Sequence, residues 1–564
     1  MSQQRLILDY ALEHATRQPG RVFLTQPVGG GEVVDLTWGE TLDEARRMAA
    51  HLRSLGIPPG ARVAILSKNC AHFIVAELAI WLAGCTTVAI FPTETAGTVR
   101  FVLEHSEASL LFVGKLDTWP QQQPGVPPGL PCIALPLAPP TDFEIWDAIV
   151  ARTPPLAEPA QRSADELAML LYTSGSTGQP KGVMTSFGAI TRAAEGICAE
   201  VRRHLDPGVE GRLLSYLPLA HALERAWVEG ASLVDGGNRV FFAESLDTFV
   251  DDLRRARPTL FMSVPRLWLK FQQGVFARLP PARLDFLLGI PWLGRRVARK
   301  VLAGLGLDEV TLAGSGSAPI PAGLIAWYRR LGLRLYEGYA MTEDTAYSHT
   351  SSEDLNAPGY VGAPLPGVQV RLSPEGEILI KSPGQFSGYY KQPELTAASF
   401  TEDGFFRTGD LGERRPDGLL KITGRAKELF KTDKGKYVAP APIENRLNVH
   451  PMVELSLVSG VGRPAAYGLV VLAEDVRARV DDTESRHLVE TELAKLLRQV
   501  NDELADYERL RMLVVVPEPW TIESGCLTPT MKVRRAAIEA RVAPLLDGWY
   551  ASEQPVLWMQ RTRD

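Results

Sequence analysis

Cysteine is scarce and irregularly placed: Cys70, Cys85, Cys132, Cys198 and Cys526 are odd in number, and no two form a Cys-x-x-Cys pair. This excludes a disulfide framework and a cysteine zinc site, and it fits a reducing cytoplasm. A basic excess is also lacking. Lys and Arg number 60 against 66 Asp and Glu, for a formal net charge of -6, whereas nucleic-acid binding needs cations enough to displace counterions from phosphates. Nucleic acid is therefore not an expected partner. No apolar run reaches the roughly 18 to 20 residues of a membrane span. The nearest, residues 76–91, contains Glu77 and several small polar residues and reads as a buried helix followed by a strand. The first residues, Met1-Ser-Gln-Gln-Arg-Leu, show no signal-peptide core or cleavage site.

What is present is the composition of an ordinary globular protein, 45% apolar and 22% charged over 564 residues. That length exceeds one hydrophobic core, so two or more domains are expected. Residues 42–55 have helical apolar spacing, 62–66 form a short apolar run of strand type, and 73–82 read as a second helix. A second alternation spans 213–264, with strands at 239–242 and 259–262. Strands separated by helices imply an α/β fold in which parallel sheets are covered on both faces. Two proline-rich stretches, 119–140 and 153–159, read as surface crossings. No internal repeat is evident.

The densest chemical signal lies at residues 167–184, Leu-Ala-Met-Leu-Leu-Tyr-Thr-Ser-Gly-Ser-Thr-Gly-Gln-Pro-Lys-Gly-Val-Met. An apolar run of strand length passes into hydroxyls, glycines and one lysine. Backbone N–H groups and the hydroxyls of Thr173, Ser174, Ser176 and Thr177 suit phosphate oxygens. Gly175, Gly178 and Gly182 remove the Cβ atoms that would hold a ligand away, and Lys181 adds a cation. The pattern is not a Walker A loop, because Pro180 precedes Lys181 and Gly182 follows it. Phe187, Ile190, Ala194, Ile197 and Val201 then keep a 3.6-residue period, so the loop is expected to feed into a helix that packs on the sheet.

Geometry alone brings two distant polar residues together. Asp417-Gly418 is a two-residue hairpin signal, and in a regular hairpin around it Asp410 faces Arg425. One acceptor and one forked donor side by side can hold a vicinal diol. The plainer reading is a cross-strand salt bridge, worth under ~1 kcal/mol if exposed. Beyond residue 426 the texture changes to a small α+β region: a helix beginning at 443–447, strands at 455–458 and 469–472, and an amphipathic helix marked by Val489, Leu493, Leu496, Leu497, Val500 and Leu504. Residues 276–307 combine apolar residues with Arg278, Arg283, Arg295, Arg296, Arg299 and Lys300. An amphipathic helix with a solvated basic face is the favoured reading there, and an anionic membrane surface is the alternative.

Thr173 to Gly182 resembles the signature loop of the AMP-forming adenylating superfamily, and other stretches fit in order. Gly314-Ser-Gly-Ser-Ala-Pro319 is similar to the loop whose backbone lines the nucleotide site, through Gly316, Ser317 and Ala318. Tyr336-Glu-Gly-Tyr-Ala-Met-Thr-Glu343, read as following a short strand at 331–335, resembles the adenine and metal motif. The resemblance implies that Glu337, Gly338 and Tyr339 bind the nucleotide, with Tyr339 on the adenine. Thr342 would contact the α-phosphate, and Glu343, with Thr173, would hold Mg²⁺. Asp410 and Arg425 would bind the ribose hydroxyls, Lys427 would be the hinge, and Lys532 in Leu527-Thr-Pro-Thr-Met-Lys532 would be the adenylation lysine. Leu217-Pro-Leu-Ala-His-Ala-Leu-Glu-Arg225 resembles the long-chain fatty acyl-CoA synthetase branch, with His221 beside the carboxylate. The resemblance spans about residues 36–535.

It implies a large N-terminal domain, residues 1–425, of parallel sheets covered by helices plus a small β-barrel-like part. A small mobile α+β domain, residues 426–564, would follow and carry Lys532. The implied reaction uses ATP, Mg²⁺ and coenzyme A to activate a carboxylate, a medium- to long-chain fatty acid by the branch resemblance, in the cytoplasm. Two alternatives stay open: an acyl-AMP ligase that delivers to a carrier-protein phosphopantetheine, and a non-catalytic nucleotide- or fatty-acid-binding homologue. Acyl chain length, oligomeric state including a dimer, and peripheral contact with the inner membrane face also stay open.

Overall fold

Both strand and helix alternations form, and each builds a sheet. The computed structural model describes residues 4–173, 179–206, 208–480, 482–528 and 531–560. The chain divides into two compact units. The first comprises Met1–Val370, Ile380–Phe406 and Pro416–Leu419, and the second Arg371–Leu379, Arg407–Arg415 and Leu420–Asp564.

In the first unit an eight-stranded sheet runs in the order Gly388–Tyr389, Lys181–Ser186, Leu167–Thr173, Thr86–Ile90, Arg62–Leu66, Ala108–Val113, Cys132–Ala134 and Glu144–Ile145. It is parallel from Leu167–Thr173 to Glu144–Ile145 and antiparallel at its other edge. A nine-stranded sheet has a parallel centre formed by Leu335–Tyr339, Leu312–Ser315, Leu260–Ser263, Gly211–Ser215, Asn238–Phe242 and Val22–Gly29. Antiparallel strands flank that centre on both sides.

Helix Ala71–Ala83 packs on Val22–Gly29 of one sheet and on Arg62–Leu66 and Thr86–Ile90 of the other. Every residue of it except His72 is buried, which explains why the helix is apolar all round rather than along one stripe. It ends at Gly84, whose φ of 93° is the left-handed turn that returns the chain to the next strand. Within this layer lies one charged group. Arg225 is 1% exposed; its guanidinium donates to Glu77 on the central helix and to Glu229 at 2.8 Å. Arg225 and Glu229 belong to a π-helical turn, Arg225–Gly230, set between the helical segments Ala222–Glu224 and Ala231–Asp235.

The helix expected after the glycine-rich loop forms as Phe187–Arg202. Before it comes a strand that the sequence reading did not mark, Lys181–Ser186, antiparallel to Leu167–Thr173 with Thr173 opposite Lys181 and Tyr172 opposite Gly182. Lys-Gly-Val-Met-Thr-Ser lacks an obvious alternation, yet its backbone completes the ladder and Ser186 caps the helix by accepting from Ala189 N–H. Residues 331–335 are not the strand: helix Ala322–Arg330 closes through Gly332 at φ 90°, and the strand is Leu335–Tyr339, so the polar stretch is itself part of the sheet. The stretch 119–140 is more than a crossing, since it holds helix Trp119–Gln122 and the sheet strand Cys132–Ala134.

The second unit centres on a four-stranded sheet, Val453–Ser459, Ala466–Leu472, Leu510–Val516 and Val556–Trp558, with the first pair antiparallel and the others parallel. Helix Thr483–Asp502 covers one face through Val489, Leu493, Leu496, Leu497 and Val500; Ile538, Val542 and Trp549 cover the other. Leu510–Val516 escaped the sequence reading because an unbroken Met-Leu-Val-Val-Val run has no alternation to mark it. A further sheet comprises Gln369–Leu372, Glu377–Lys381, Phe406–Arg414 and Leu420–Arg425. Residues 407–415 and 420–425 cluster with the second unit, whereas a boundary after residue 425 assigns them to the first.

The ion cluster generates a stability prediction. Arg225→Met leaves Glu77 and Glu229 buried without their cation, so the variant should lose about 3 to 5 kcal/mol. Denaturant unfolding of wild type and variant measures it; equal midpoints would mean that the carboxyls go neutral at no cost.

Candidate active site

The parallel strands of the nine-stranded sheet end on one side, and their carboxyl ends build a cleft. Ser315 ends one strand and Gly316 and Ser317 follow it, Gly338 and Tyr339 end the next, and Met262 comes from a third. His221, Ala222, Leu223 and Trp227 form another part of the lining, and Met341, Ala346 and His349 complete it. Carboxyl ends of parallel strands are where open α/β sheets bind ligands.

The loop after Leu312–Ser315 is held in an uncommon shape. Ser317 has φ 67°, a left-handed backbone without glycine's freedom. Beneath it Glu337, 3% exposed, accepts Ile320 N–H at 3.2 Å through Oε1. Its Oε2 has no hydrogen-bond partner among the described residues, and burial raises its carboxyl to about 7. Glu337 thus supports the loop from behind rather than lining the cleft. Gly316, Ser317, Gly338 and Tyr339 do line it, while Ala318 is on the exposed part of the loop. Gly338 has little alternative, because a Cβ there would lie 3.2 Å from His349 O.

His221 caps the helical segment after Leu217–Ala220: Nδ1 accepts Leu223 N–H at 3.2 Å. That leaves Nε2 as the protonated nitrogen of the neutral ring. Its segment is fixed by a residue the sequence did not reveal. Asn69 Nδ2 donates to Leu217 O at 2.6 Å and to Ser215 Oγ at 2.8 Å, and Asn69 Oδ1 accepts Leu219 N–H at 3.0 Å. Glu224 accepts from Tyr216 N–H at 3.0 Å and from Asn69 at 3.3 Å. Burial raises Glu224 to about 8. Trp227 Nε1 donates to Ala346 O at 3.1 Å, which joins the His221 side to the chain beyond Glu343.

Thr342, Glu343 and Asp344 form a 3-10 turn in contact with the strand Lys181–Ser186. Thr342 and Glu343 are half-buried and outside the cleft lining. Buried Asp344, pushed up to about 8 by desolvation, anchors the turn by accepting Met341 N–H at 2.9 Å. Tyr389 connects Glu343 to the phosphate loop: its hydroxyl donates to Glu343 Oε1 at 2.8 Å, and Lys181 Nζ lies 5.3 Å from its ring centre. Burial and the Glu343 carboxylate push the Tyr389 hydroxyl far up, so it stays a donor. Thr173 ends the incoming strand, opposite Lys181. Ser174, Gly175, Ser176, Thr177 and Gly178 lie outside the described residues.

The second unit carries the other expected residues. Asp410 does face Arg425, with Arg425 Nε 2.9 Å from Asp410 Oδ1. The hairpin is not regular, however. Asp410 and Leu411 pair with Arg425 and Gly424, then a bulge shifts the register, so that Gly412 pairs with Ile422 and Arg414 with Leu420. The connection is therefore residues 415–419 rather than a two-residue turn, and the bulge opposite Leu411 and Gly412 restores the expected pair. Asp410 is 5% exposed and Arg425 57%. Lys427 is exposed on the turn that follows, where Ala426 N–H donates to Gly409 O at 2.9 Å.

Lys532 is also exposed; Thr528 N–H donates to Lys532 O at 2.8 Å and Lys532 N–H to Thr528 Oγ1 at 3.0 Å. Three residues on, Arg535 is turned inward and pairs with Glu444 at 2.7 Å. The two cations therefore have different surroundings.

Comparison with known proteins gives the family. Residues 12–390 match the AMP-binding enzyme family, and residues 429–554 match the AMP-binding enzyme C-terminal domain. The chain belongs to the AMP-binding enzymes. A long-chain-fatty-acid–CoA ligase, FadD15 of Mycobacterium bovis, is 32% identical to this AMP-binding enzyme, over 96% of each chain. Long-chain-fatty-acid–CoA ligase 5 of Rattus norvegicus is 28% identical over 89% of this chain and 82% of its own. Among solved structures, the A domain of carboxylic acid reductase from Segniliparus rugosus, in complex with AMP and a co-purified carboxylic acid, superposes with a TM-score of 0.80. Its identity is 25%, over 98% of this chain and 95% of that one.

An AMP-binding enzyme takes magnesium in with its nucleotide, and the residues fit that role. Among the described residues no three His, Cys, Asp or Glu gather as a metal cage, but a nucleotide-borne Mg²⁺ needs only one or two carboxylates beside phosphate oxygens and water. Glu343 supplies a carboxylate held in place by Tyr389. Asn69, Glu224 and Tyr389 are the functional neighbours that sequence reasoning missed. Tyr389 lies within Pro383-Gly-Gln-Phe-Ser-Gly-Tyr-Tyr390, whereas Asn69 follows a strand with no local signal of its own.

Glu224 yields a pH prediction. Its pKa is raised from 4.5 to about 8 on folding, so its contribution is fully present below about 4.5 and is lost as pH rises toward about 8. The slope from this group reaches about 1.4 kcal/mol per pH unit. Glu224→Gln should flatten that decline and make the variant the more stable protein at pH 8. Chemical unfolding of both proteins across this range checks it, and parallel curves would exclude a raised Glu224.

Proposed function

We propose that this AMP-binding enzyme joins a medium- to long-chain fatty acid to coenzyme A through an acyl-adenylate. The observation that carries the reading is the composition of the cleft. One side consists of strand ends and exposed backbone suited to a nucleotide, Gly316, Ser317, Gly338 and Tyr339; the other consists of His221, Leu223 and Trp227, suited to a carboxylate and its apolar chain. The similarity to FadD15 over 96% of both chains supports the same substrate class.

In the first half-reaction a carboxylate oxygen attacks the α-phosphorus of ATP, the bond to the β-phosphate breaks, and pyrophosphate leaves. Tyr339 stacks on the adenine and Asp410 with Arg425 takes the ribose hydroxyls. The strain at Ser317 and the support from Glu337 keep the intervening backbone in one shape. Thr342 contacts the α-phosphate. His221 presents Nε2–H to the carboxylate and later to the acyl phosphate, while Asn69 and Glu224 hold its segment still. Lys181 and the loop from Thr173 carry cation and hydroxyls to the leaving phosphates. When bound, Mg²⁺ neutralises phosphate charge; Glu343 and Thr173 would hold it.

Lys532 places a cation on the α-phosphate and carboxylate, whose mutual repulsion it lowers. The exposure of Lys532 and the inward pairing of Arg535 support that assignment over Arg535. In the second half-reaction the coenzyme A sulfur attacks the acyl carbon and AMP leaves, so no protein nucleophile is needed. We assign Lys427, exposed immediately after the ribose-binding pair, as the hinge between the two half-reactions. Five unpaired cysteines support a reducing cytoplasm as the site of the reaction. No helix among the described residues is long and apolar enough to cross a membrane.

The test is product analysis by mass spectrometry with Mg²⁺-ATP, coenzyme A and acids from acetate to long-chain. Acyl-CoA and AMP are expected, with activity concentrated on the longer acids. Acyl-adenylate without thioester would shift the acceptor to a carrier-protein phosphopantetheine, and no adenylate at all would overturn the reading. Lys532→Ala should slow adenylation by about 100-fold or more while leaving thioester formation from preformed acyl-adenylate within about tenfold of wild type. Equal losses in both steps would remove the role given to Lys532.

A further inference from the structure

Tyr389 adjoins two groups that the proposed reaction uses, the Glu343 carboxylate and the Lys181 ammonium. Gly388–Tyr389 is the edge strand of the eight-stranded sheet, and Tyr389 stands opposite Val183 of the strand that begins at Lys181. Tyr390 N–H donates to Gly182 O and Ser387 N–H to Met184 O, each at 2.8 Å, and Tyr389 N–H donates to Thr396 Oγ1 at 2.9 Å. Gly388 makes this last approach possible. Its φ of 138° favours glycine, and a Cβ there would lie 2.6 Å from Thr396 Cγ2. The backbone of Tyr389 is therefore fixed to the strand that leaves the phosphate loop.

The side chain is fixed as well. Tyr389 is 7% exposed, and it packs with Val183, Phe386 and Phe406 in a small core, its ring centre 5.0 Å from that of Phe386. A phenylalanine would fill that space equally well. What distinguishes tyrosine is the hydroxyl, which donates to Glu343 Oε1 at 2.8 Å. The backbone of the Glu343 turn has other supports, since Met341 N–H donates to Asp344 at 2.9 Å and Phe386 N–H to Glu343 O at 2.8 Å. The hydroxyl thus governs the side chain rather than the turn. The same ring lies 5.3 Å from Lys181 Nζ, within cation–π range, so the hydroxyl reaches Glu343 from the side on which the phosphate-loop lysine stands.

We propose that Tyr389 is a positioning residue that aims the Glu343 carboxylate at the magnesium ion of Mg²⁺-ATP. Commitment of Oε1 to the hydroxyl leaves Oε2 for the ion. A glutamate side chain is rich in rotamers, and one fixed in advance spares the ordering cost of binding. Partners that hydrogen-bond a ligating carboxylate orient it, and removing one weakens metal binding by about 10- to 100-fold. The inference rests on the Mg²⁺ role given to Glu343 in the proposed function.

Calorimetric titration of the full chain with α,β-methylene-ATP, which cannot form an adenylate, is to be run in excess Mg²⁺ and again in EDTA. The difference between the two affinities is the metal-dependent gain. Tyr389→Phe keeps the ring and should lose about tenfold in affinity with Mg²⁺ while matching wild type in EDTA. Glu343→Gln should lose the gain, and combining the two substitutions should weaken binding no further, because the hydroxyl acts through the carboxylate. Tyr389→Phe that keeps the full gain, that weakens both titrations alike, or whose loss adds to that of Glu343→Gln overturns the proposal. Glu343→Gln with an intact gain overturns the Glu343 assignment and the proposal with it. None of these results depends on which acid or acceptor the enzyme uses, so they stand apart from the fate of the acyl-ligase reading.

Discussion

Two sheets that share a helix layer impose one demand on that layer: it must be apolar toward both. Helix Ala71–Ala83 meets it along its whole length, apart from His72, and the chain on either side is short and tightly turned as a result. The demand makes the charged group Glu77, Arg225 and Glu229 conspicuous. Charges in such a place cost more in desolvation than a hydrocarbon filling would, so the group is better understood as a locator than as a source of stability. It pins one turn of the Ala222–Asp235 segment, through a π-helical irregularity, to the central helix. π-helical turns recur at functional sites because the widened turn re-aims the side chains around it. Here the segment that is pinned also carries His221 and Trp227 into the cleft.

The same logic links burial to function elsewhere in the first unit. Glu224, Glu337 and Asp344 are buried carboxyls raised toward neutrality by desolvation, and they accept the backbone N–H groups of Tyr216, Ile320 and Met341. None needs to touch a substrate. They hold backbone in shapes that water would otherwise relax, including the left-handed Ser317. Tyr389 plays the complementary role from a strand edge, with its ring near a cation and its hydroxyl on a carboxylate. Preorganised polar groups of this kind need no reorganisation as charge develops during a reaction.

Which parts were legible in the sequence follows from the same physics. Helices with a period declared themselves, the helix through Val489 to Val500 and the helix Phe187–Arg202, and so did the short apolar run at 62–66. Leu510–Val516 and Lys181–Ser186 did not, because in a covered sheet both faces are apolar or the backbone alone pairs, and no alternation marks the strand. At the site, residues that meet a ligand came in compact stretches and could be read. Asn69 could not, because its partners Leu217 and Leu219 are far along the chain and only the fold brings them together. The Asp410 and Arg425 pair was found by an argument whose premise of a regular hairpin was not met.

That last mismatch has a consequence for how the protein can vary. Because the bulge beside Leu411 separates the register of the pair from the register of the turn, the exposed residues 415–417 can lengthen, shorten or change in composition, whereas Leu419 is buried. Each added residue costs little in loop closure, and the strand ends holding Asp410 and Arg425 need not slip. Insertions and deletions would therefore be tolerated at the tip of this hairpin. Deletion of Leu411 or of Gly424, which adjoin the pair, would instead turn the side chains of one strand to the opposite face. The hairpin thus combines an editable end with an uneditable one, a few residues apart.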